Sequence, residues 1–181
     1  MARVAILEKD QVSEDLKAVF ENMEKRGTRV LNVFKVMANC PKVGRDFLRL
    51  GNSILLKGSL DPRLREIAIL RVGVLAKAHY EWTQHVPIGL RVGLTEQQID
   101  ALRSWEGSEH FNEHERAVLQ YADEVTENIR VSDETFNGIK SFLTEEQIVE
   151  LTTTIGYYGM VCRILEALEV ELEQDAKGEK E

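Results

Sequence analysis

Sulfur, proline, aromatic residues and basic charge are all in short supply in this chain of 181 residues, and each shortage closes off a class of protein. Two cysteines, Cys40 and Cys162, are too few and too far apart for a disulfide framework. They form neither a C-x-x-C nor a paired zinc spacing with the 4 histidines, so a reducing, cytoplasmic setting is the expectation. Lys and Arg number 23 against 31 Asp and Glu, leaving a formal charge of −8. Such a surface repels a phosphate backbone, and nucleic acid drops out as a partner. No apolar run nears the roughly 20 residues that a bilayer demands. Near the start, Arg3, Glu8, Lys9 and Asp10 flank the apolar Val4-Ala5-Ile6-Leu7, so neither a signal peptide nor a membrane partner is expected. Strand alternation is missing too.

What is present is helical punctuation. Apolar residues recur at three and four, and the breaks carry caps instead of hairpin turns. Ser13 is placed to cap a first helix through about Met23, with Leu16, Val19, Phe20 and Met23 on one face and Gly27 ending it. An apolar piece, Val30 to Met37, leads to Pro41, which suits the first turn of a helix running to Gly58. Asp61-Pro62 opens a helix through Leu64, Ile67, Ile69, Leu70, Val72, Val74 and Leu75; it is apolar around most of its circumference and should be central. Thr95 to Gln98 and Asn112 to Glu115 read as capping boxes, Ser132 starts a short helix to Phe142, and Thr144 to Gln147 opens the last long one. The strings LTEQQI and LTEEQI, at 94–99 and 143–148, look like a repeat, though a capping box before any helix has the same form. The length suits one domain with a sizeable core over 1–171. From Glu166 on the chain holds seven acidic residues and two lysines, and 172–181 is expected to be a frayed acidic tail.

Potentially reactive side chains concentrate in one stretch: Glu66 inside the apolar helix, then His79, Tyr80, Glu81, Trp82 and His85. Glu81 and His85 are four apart and share a face if the segment is helical. Glu66 lies nineteen residues before His85, about 28 Å away in one straight helix, so a shared site requires a bend. Gly73 and Pro87 are the available breakers, and neither marks a bend convincingly. Bland readings compete: Glu66 could pair with Arg63, Arg65 or Arg71, and Glu81 with His85 could be an ordinary surface pair. His79 and Glu81 point about 200° apart on a helix, so no metal site is expected there. His110 and His114 read as solvated helix-start residues, and Phe34, Phe47, Tyr157 and Tyr158 as core.

The segment LDPRLREIAILRVGVLAKAHYEWTQHVPIGLRVGLT resembles the core of the carboxymuconolactone decarboxylase family, which includes the alkylhydroperoxidase D-like proteins. The likeness takes in NVFKVMANCPKVGRDF upstream and LTEEQIVELTTTIGYYGMVCRILEAL downstream, about residues 30 to 170. It implies an all-α, alkylhydroperoxidase D-like bundle of about six to eight helices that forms rings, as homotrimers or homohexamers. It also implies that the chain bends to bring Glu66 and His85 together. The peroxidase branch carries a Glu, a C-x-x-C beginning twelve residues later, and a His four residues after the second Cys. Counted from Glu66, those positions hold Ala78, Glu81 and His85. Glu and His are kept while both thiols are gone, which removes thiolate chemistry.

The decarboxylase branch needs neither C-x-x-C nor cofactor. The expectation is therefore a cofactor-free lyase, decarboxylase or isomerase acting on a small carboxylated or carbonyl-bearing molecule. In it His85 transfers the proton, Glu66 orients the ring, Glu81 supplies a second carboxylate, and Tyr80 donates to developing oxyanion charge. Phe34, Trp82 and Tyr157 would contact substrate. Two rivals stand beside it: a thiol-dependent alkylhydroperoxidase using Cys40 or Cys162, and a non-catalytic oligomeric binding protein that retains the pocket. Arg45, Arg49, Arg71, Arg91 and Arg163 are all candidate partners for a substrate carboxylate, and sequence does not rank them.

Overall fold

Helix starts in this chain are written by polar caps and prolines. The computed structural model describes residues 2–173, in which there are nine α-helices and no strand. The acidic tail expected from 172 lies, from residue 174 on, outside the described residues. The chain divides into two compact units, Met1–Gly51 with Leu165–Glu181, and Asn52–Ile164.

The first unit holds α1 (Glu14–Lys25), α2 (Asn32–Met37), the start of α3 (Pro41–Lys57) and the end of α9 (Glu145–Ala167). Leu16 and Phe20 are the buried stripe of α1. Ser13 occupies the N-cap in extended backbone, but its side chain makes no capping hydrogen bond, contrary to expectation. Gly27 does end the helix: at φ +71° it lets its own N–H reach Glu24 and that of Thr28 reach Met23, satisfying two terminal carbonyls. Pro41 begins α3 as its fixed φ favours. Gly44 is required by crowding, since a Cβ there would stand 2.5 Å from the Met37 carbonyl oxygen. The N-terminal segment is tied down by Arg3, whose backbone N–H donates to Leu168 O at 2.8 Å and whose side chain donates to Ala167 O at 3.0 Å.

The second unit is organised around α4 (Pro62–Leu75), which packs against α5 (His79–Arg91) and α7 (Glu113–Asp123). Asp61 accepts the Arg63 N–H and Pro62 fills the first turn. Every residue from Arg65 to Gly73 is buried, as a helix apolar on all sides must be. Each of Ile67, Ile69, Leu70 and Val72 contributes about 1.5–3 kcal/mol by leaving water. α6 (Glu96–Ala101) follows α5, and α8 (Asp133–Lys140) packs on α7. Both expected capping boxes form, Thr95 with Gln98 and Asn112 with Glu115, and Ser132 accepts the Thr135 N–H. The two LTE strings open α6 and α9, helices of 6 and 23 residues, so their likeness is capping chemistry repeated.

Two polar clamps, buried at Arg71 and half-buried at Arg63, fix the rotation of α4. Arg71 donates to both oxygens of Asp123 at 2.5 and 2.9 Å and to Leu102 O at 2.8 Å, while Trp105 Nε1 donates to the same Asp123 at 2.9 Å. At the other end of α4, Arg63 donates to Glu115 at 2.8 Å and to Gln98 at 2.7 Å. These pairings use Arg63 and Arg71 and leave Glu66 to a different partner.

Candidate active site

The bend that the site needs lies at neither Gly73 nor Pro87. It falls at Ala76–Ala78, where Lys77 takes φ +54°. The Lys77 N–H reaches Val74 O at 3.1 Å and the Ala78 N–H reaches Gly73 O at 3.0 Å, the closing pattern that usually has glycine at the left-handed position. A lysine there carries no sequence signal for a bend, which is why spacing did not find it. Gly73 has a supporting role: a Cβ on it would meet Glu81 Cγ at 3.8 Å, so the helices lie close at this point. α5 then continues through Pro87 to Arg91.

Folding α5 back along α4 brings Glu66 and His85 into contact. His85 Nδ1 lies 2.7 Å from Glu66 Oε2. A carboxylate oxygen can only accept, so Nδ1 carries the proton and Nε2 faces the other way. There Glu81 Oε1 stands 3.1 Å from Nε2, one turn earlier on the same helix. Glu66, Glu81 and His85 are 0, 3 and 7% exposed, so the reading of Glu81 and His85 as a surface pair does not hold. Nor is Glu66 simply the partner of an arginine, although Arg65 Nε lies 3.5 Å from its Oε1.

Burial by itself would lower His85, but the charge of Glu81, the hydrogen bond to Glu66 and the charge of Glu66 outweigh it; the imidazole is raised, with Arg65 opposing. Glu81 is raised as well, first by burial and then by the charge of Glu66, with His85 pulling against them. Glu81 and His85 both hold protons more tightly than they would in water, and their titrations are coupled. Tyr158 packs edge-on to the imidazole, 4.9 Å between ring centres, and Tyr157 packs edge-on to Tyr158 at 5.3 Å. Both phenols are raised by burial and then by the charge of Glu81, so they remain protonated donors.

Of the seven residues expected at a site, Glu66, Glu81 and His85 meet, and Tyr157 adjoins them through Tyr158. Tyr80 is buried on α5, but it leaves the helix about 140° around from His85. Trp82 is half-buried with the Arg103 guanidinium 4.8 Å from its ring centre. Phe34 is half-buried on α2 in the first unit. Sequence reasoning missed Tyr158, which it read as core, and Arg65, which it read only as a charge partner. Among the described residues no three His, Cys, Asp or Glu side chains are grouped to hold a metal ion, and no helix is long and apolar enough to cross a membrane. Cys40 is exposed in the first unit and Cys162 is buried on α9; both are free thiols.

Comparison with known proteins places this geometry. The protein YdfG of Bacillus subtilis strain 168 is 26% identical over 110 residues, covering 60% of this chain and 75% of its own. The alkylhydroperoxidase AhpD core, a peroxidase-related protein from Ralstonia eutropha JMP134, superposes with a TM-score of 0.82 at 20% identity, over 95% of this chain and 92% of its own. A cysteine-to-alanine variant of the debrominase Bmp8, solved in complex with 2,3,4-tribromopyrrole, gives a TM-score of 0.79 at 21% identity, over 96% and 94% of the two chains. Both structures share the all-helical fold. Residues 41–124, from the start of α3 to the end of α7, match the carboxymuconolactone decarboxylase family. That span contains Glu66, Glu81 and His85; over it the chain is similar to the carboxymuconolactone decarboxylase family, and its fold is alkylhydroperoxidase D-like.

Proposed function

We propose that this protein is a cofactor-free acid–base enzyme, a lyase, decarboxylase or isomerase acting on a small carboxylated or carbonyl-bearing molecule. The observation that carries the reading is the buried Glu66–His85–Glu81 chain, with contacts of 2.7 and 3.1 Å and no sulfur in it. Glu66 holds the imidazole by Nδ1 and fixes its tautomer. Because Nε2 faces Glu81, a proton leaving His85 passes through Glu81, so Glu81 meets the substrate and His85 recharges it. In a decarboxylation the C–C bond electrons move onto the adjacent carbonyl as CO₂ departs, giving an enolate. The Glu81 carboxyl then protonates carbon, and a solvent proton restores it by way of His85. A protonated Tyr158 or Tyr157 supplies the hydrogen bond first assigned to Tyr80.

The test reads proton transfer without presuming which bond breaks. Small carboxylic and carbonyl compounds are incubated with the protein in D₂O, and deuterium entry at carbon and CO₂ release are followed by NMR. The active compound should lose about 10²–10⁴-fold in rate with His85→Ala and with Glu81→Gln, measured separately. Turnover that survives both at full rate sinks the reading. The peroxidase alternative separates cleanly: hydroperoxide consumption driven by a dithiol and abolished by Cys40→Ser or Cys162→Ser would establish it instead.

A further inference from the structure

Five side-chain polar atoms among the described residues are buried without a hydrogen-bond partner, and three of them, Arg65 Nε, Glu66 Oε1 and Glu81 Oε1, belong to this one cluster. Arg65 stands out among them. It is 6% exposed and borders Glu66, the carboxylate that holds His85. Its contact with Glu66 is a loose 3.5 Å, outside hydrogen-bond geometry. Four other arginines of this unit are differently placed. Arg63 and Arg71 are spent on Glu115 and Asp123, Arg103 lies over Trp82, and Arg163 donates to Gly159 O. A guanidinium carries five donors, and the buried Nε–H of Arg65 is left without an acceptor, at a desolvation cost that nothing in the fold offsets. Such a group is complementary to a planar anion that offers two acceptors in one plane.

We infer that Arg65 is the residue that receives the substrate's carboxylate, making the Arg65–His85 cluster a binding subsite for small organic acids. This rests on the acid–base reading above and extends it to the substrate's class. A carboxylate on the Arg65 fork fixes one end of the molecule and leaves its reacting carbon toward Glu81. The guanidinium then works by orientation, holding an anion that water would otherwise solvate.

Sodium benzoate and its uncharged isostere benzamide are the probes, titrated into the full chain by calorimetry and by NMR of the histidine rings. Benzoate should bind at least about tenfold more tightly than benzamide, and Arg65→Gln should lose that preference while Arg65→Lys keeps part of it. In the unsubstituted chain benzoate should shift the His85 ring signal and leave those of His79, His110 and His114 in place, a readout that stands even where Arg65→Gln fails to fold. Equal binding of the two probes, no benzoate binding up to about 50 mM, or an unchanged His85 signal overturns the inference. The two readings fail separately. Arg65-dependent binding of benzoate, with no carboxylated compound turned over, leaves the subsite standing and removes the enzyme. Turnover that needs His85 and Glu81 and ignores Arg65→Gln does the reverse.

Discussion

Glu66 and His85 stand nineteen residues apart along the chain and 2.7 Å apart in space. The contact exists because α4 and α5 are antiparallel neighbours joined by three residues, so a carboxylate near the start of one helix faces an imidazole in the middle of the other.

Removing the Glu66 charge should be visible on His85 directly. In Glu66→Gln the imidazole loses a hydrogen bond and a charge that both raise it, while burial, which lowers it, remains. Its titration midpoint, followed by ring NMR, should fall relative to that of the unsubstituted chain. An unchanged midpoint would mean that Glu66 does not hold the ring in solution.

Stability should depend on pH through the same cluster. Glu81 and His85 are both raised from ordinary values of 4.5 and 6.5, so near neutrality the folded chain binds more protons than the unfolded one, and stability falls as pH rises. The contribution is complete below the ordinary values and is lost as pH passes up through the raised ones. Urea midpoints of the protein and of Glu81→Gln, compared from pH 6 to 9, should diverge, with the unsubstituted chain declining more steeply. A difference that is flat or reversed contradicts the raised pair.

Lys77 pays a steric cost that glycine would not. A left-handed non-glycine residue costs about 1–2 kcal/mol, and glycine's greater freedom in the unfolded chain returns about 0.5–1 kcal/mol of that. Lys77→Gly should therefore raise stability by up to about 1.5 kcal/mol, and Lys77→Val should lower it, in denaturant titrations.

Breaking the clamp on α4 should be far more damaging. Asp123→Ala strands the buried Arg71 and removes the acceptor of Trp105 Nε1, at a cost of about 3–5 kcal/mol in urea unfolding. A loss below about 1 kcal/mol would show that water reaches Arg71 in the folded chain.

Much of the fold was legible because caps and periodicity are local properties. Asp61-Pro62, Thr95 with Gln98 and Asn112 with Glu115 mark starts that the structure keeps, and the all-round apolar helix is the central one. The expectation of six to eight helices fell short of the nine among the described residues. The site was legible only in part, since local rules say nothing about which distant elements meet. Glu66, Glu81 and His85 could be aligned with a family pattern, but the turn at Lys77 could not be seen, because a lysine accepts the left-handed conformation only when the packing on both sides imposes it. Tyr158 and Arg65 were hidden for the same reason: their importance comes from what lies across the packing, and one helix of sequence cannot show it.

The turn at Ala76–Ala78 also constrains how this sequence can change with time. Inserting or deleting one residue there would rotate α5 by about 100° about its axis and carry His85 and Glu81 together off the face that meets Glu66. Point substitutions on the outer surface of α5 leave the meeting intact. Drift in composition is therefore tolerated in this hairpin while drift in length is not, and a homologous chain with a gap at these three positions would have to build its chemistry elsewhere.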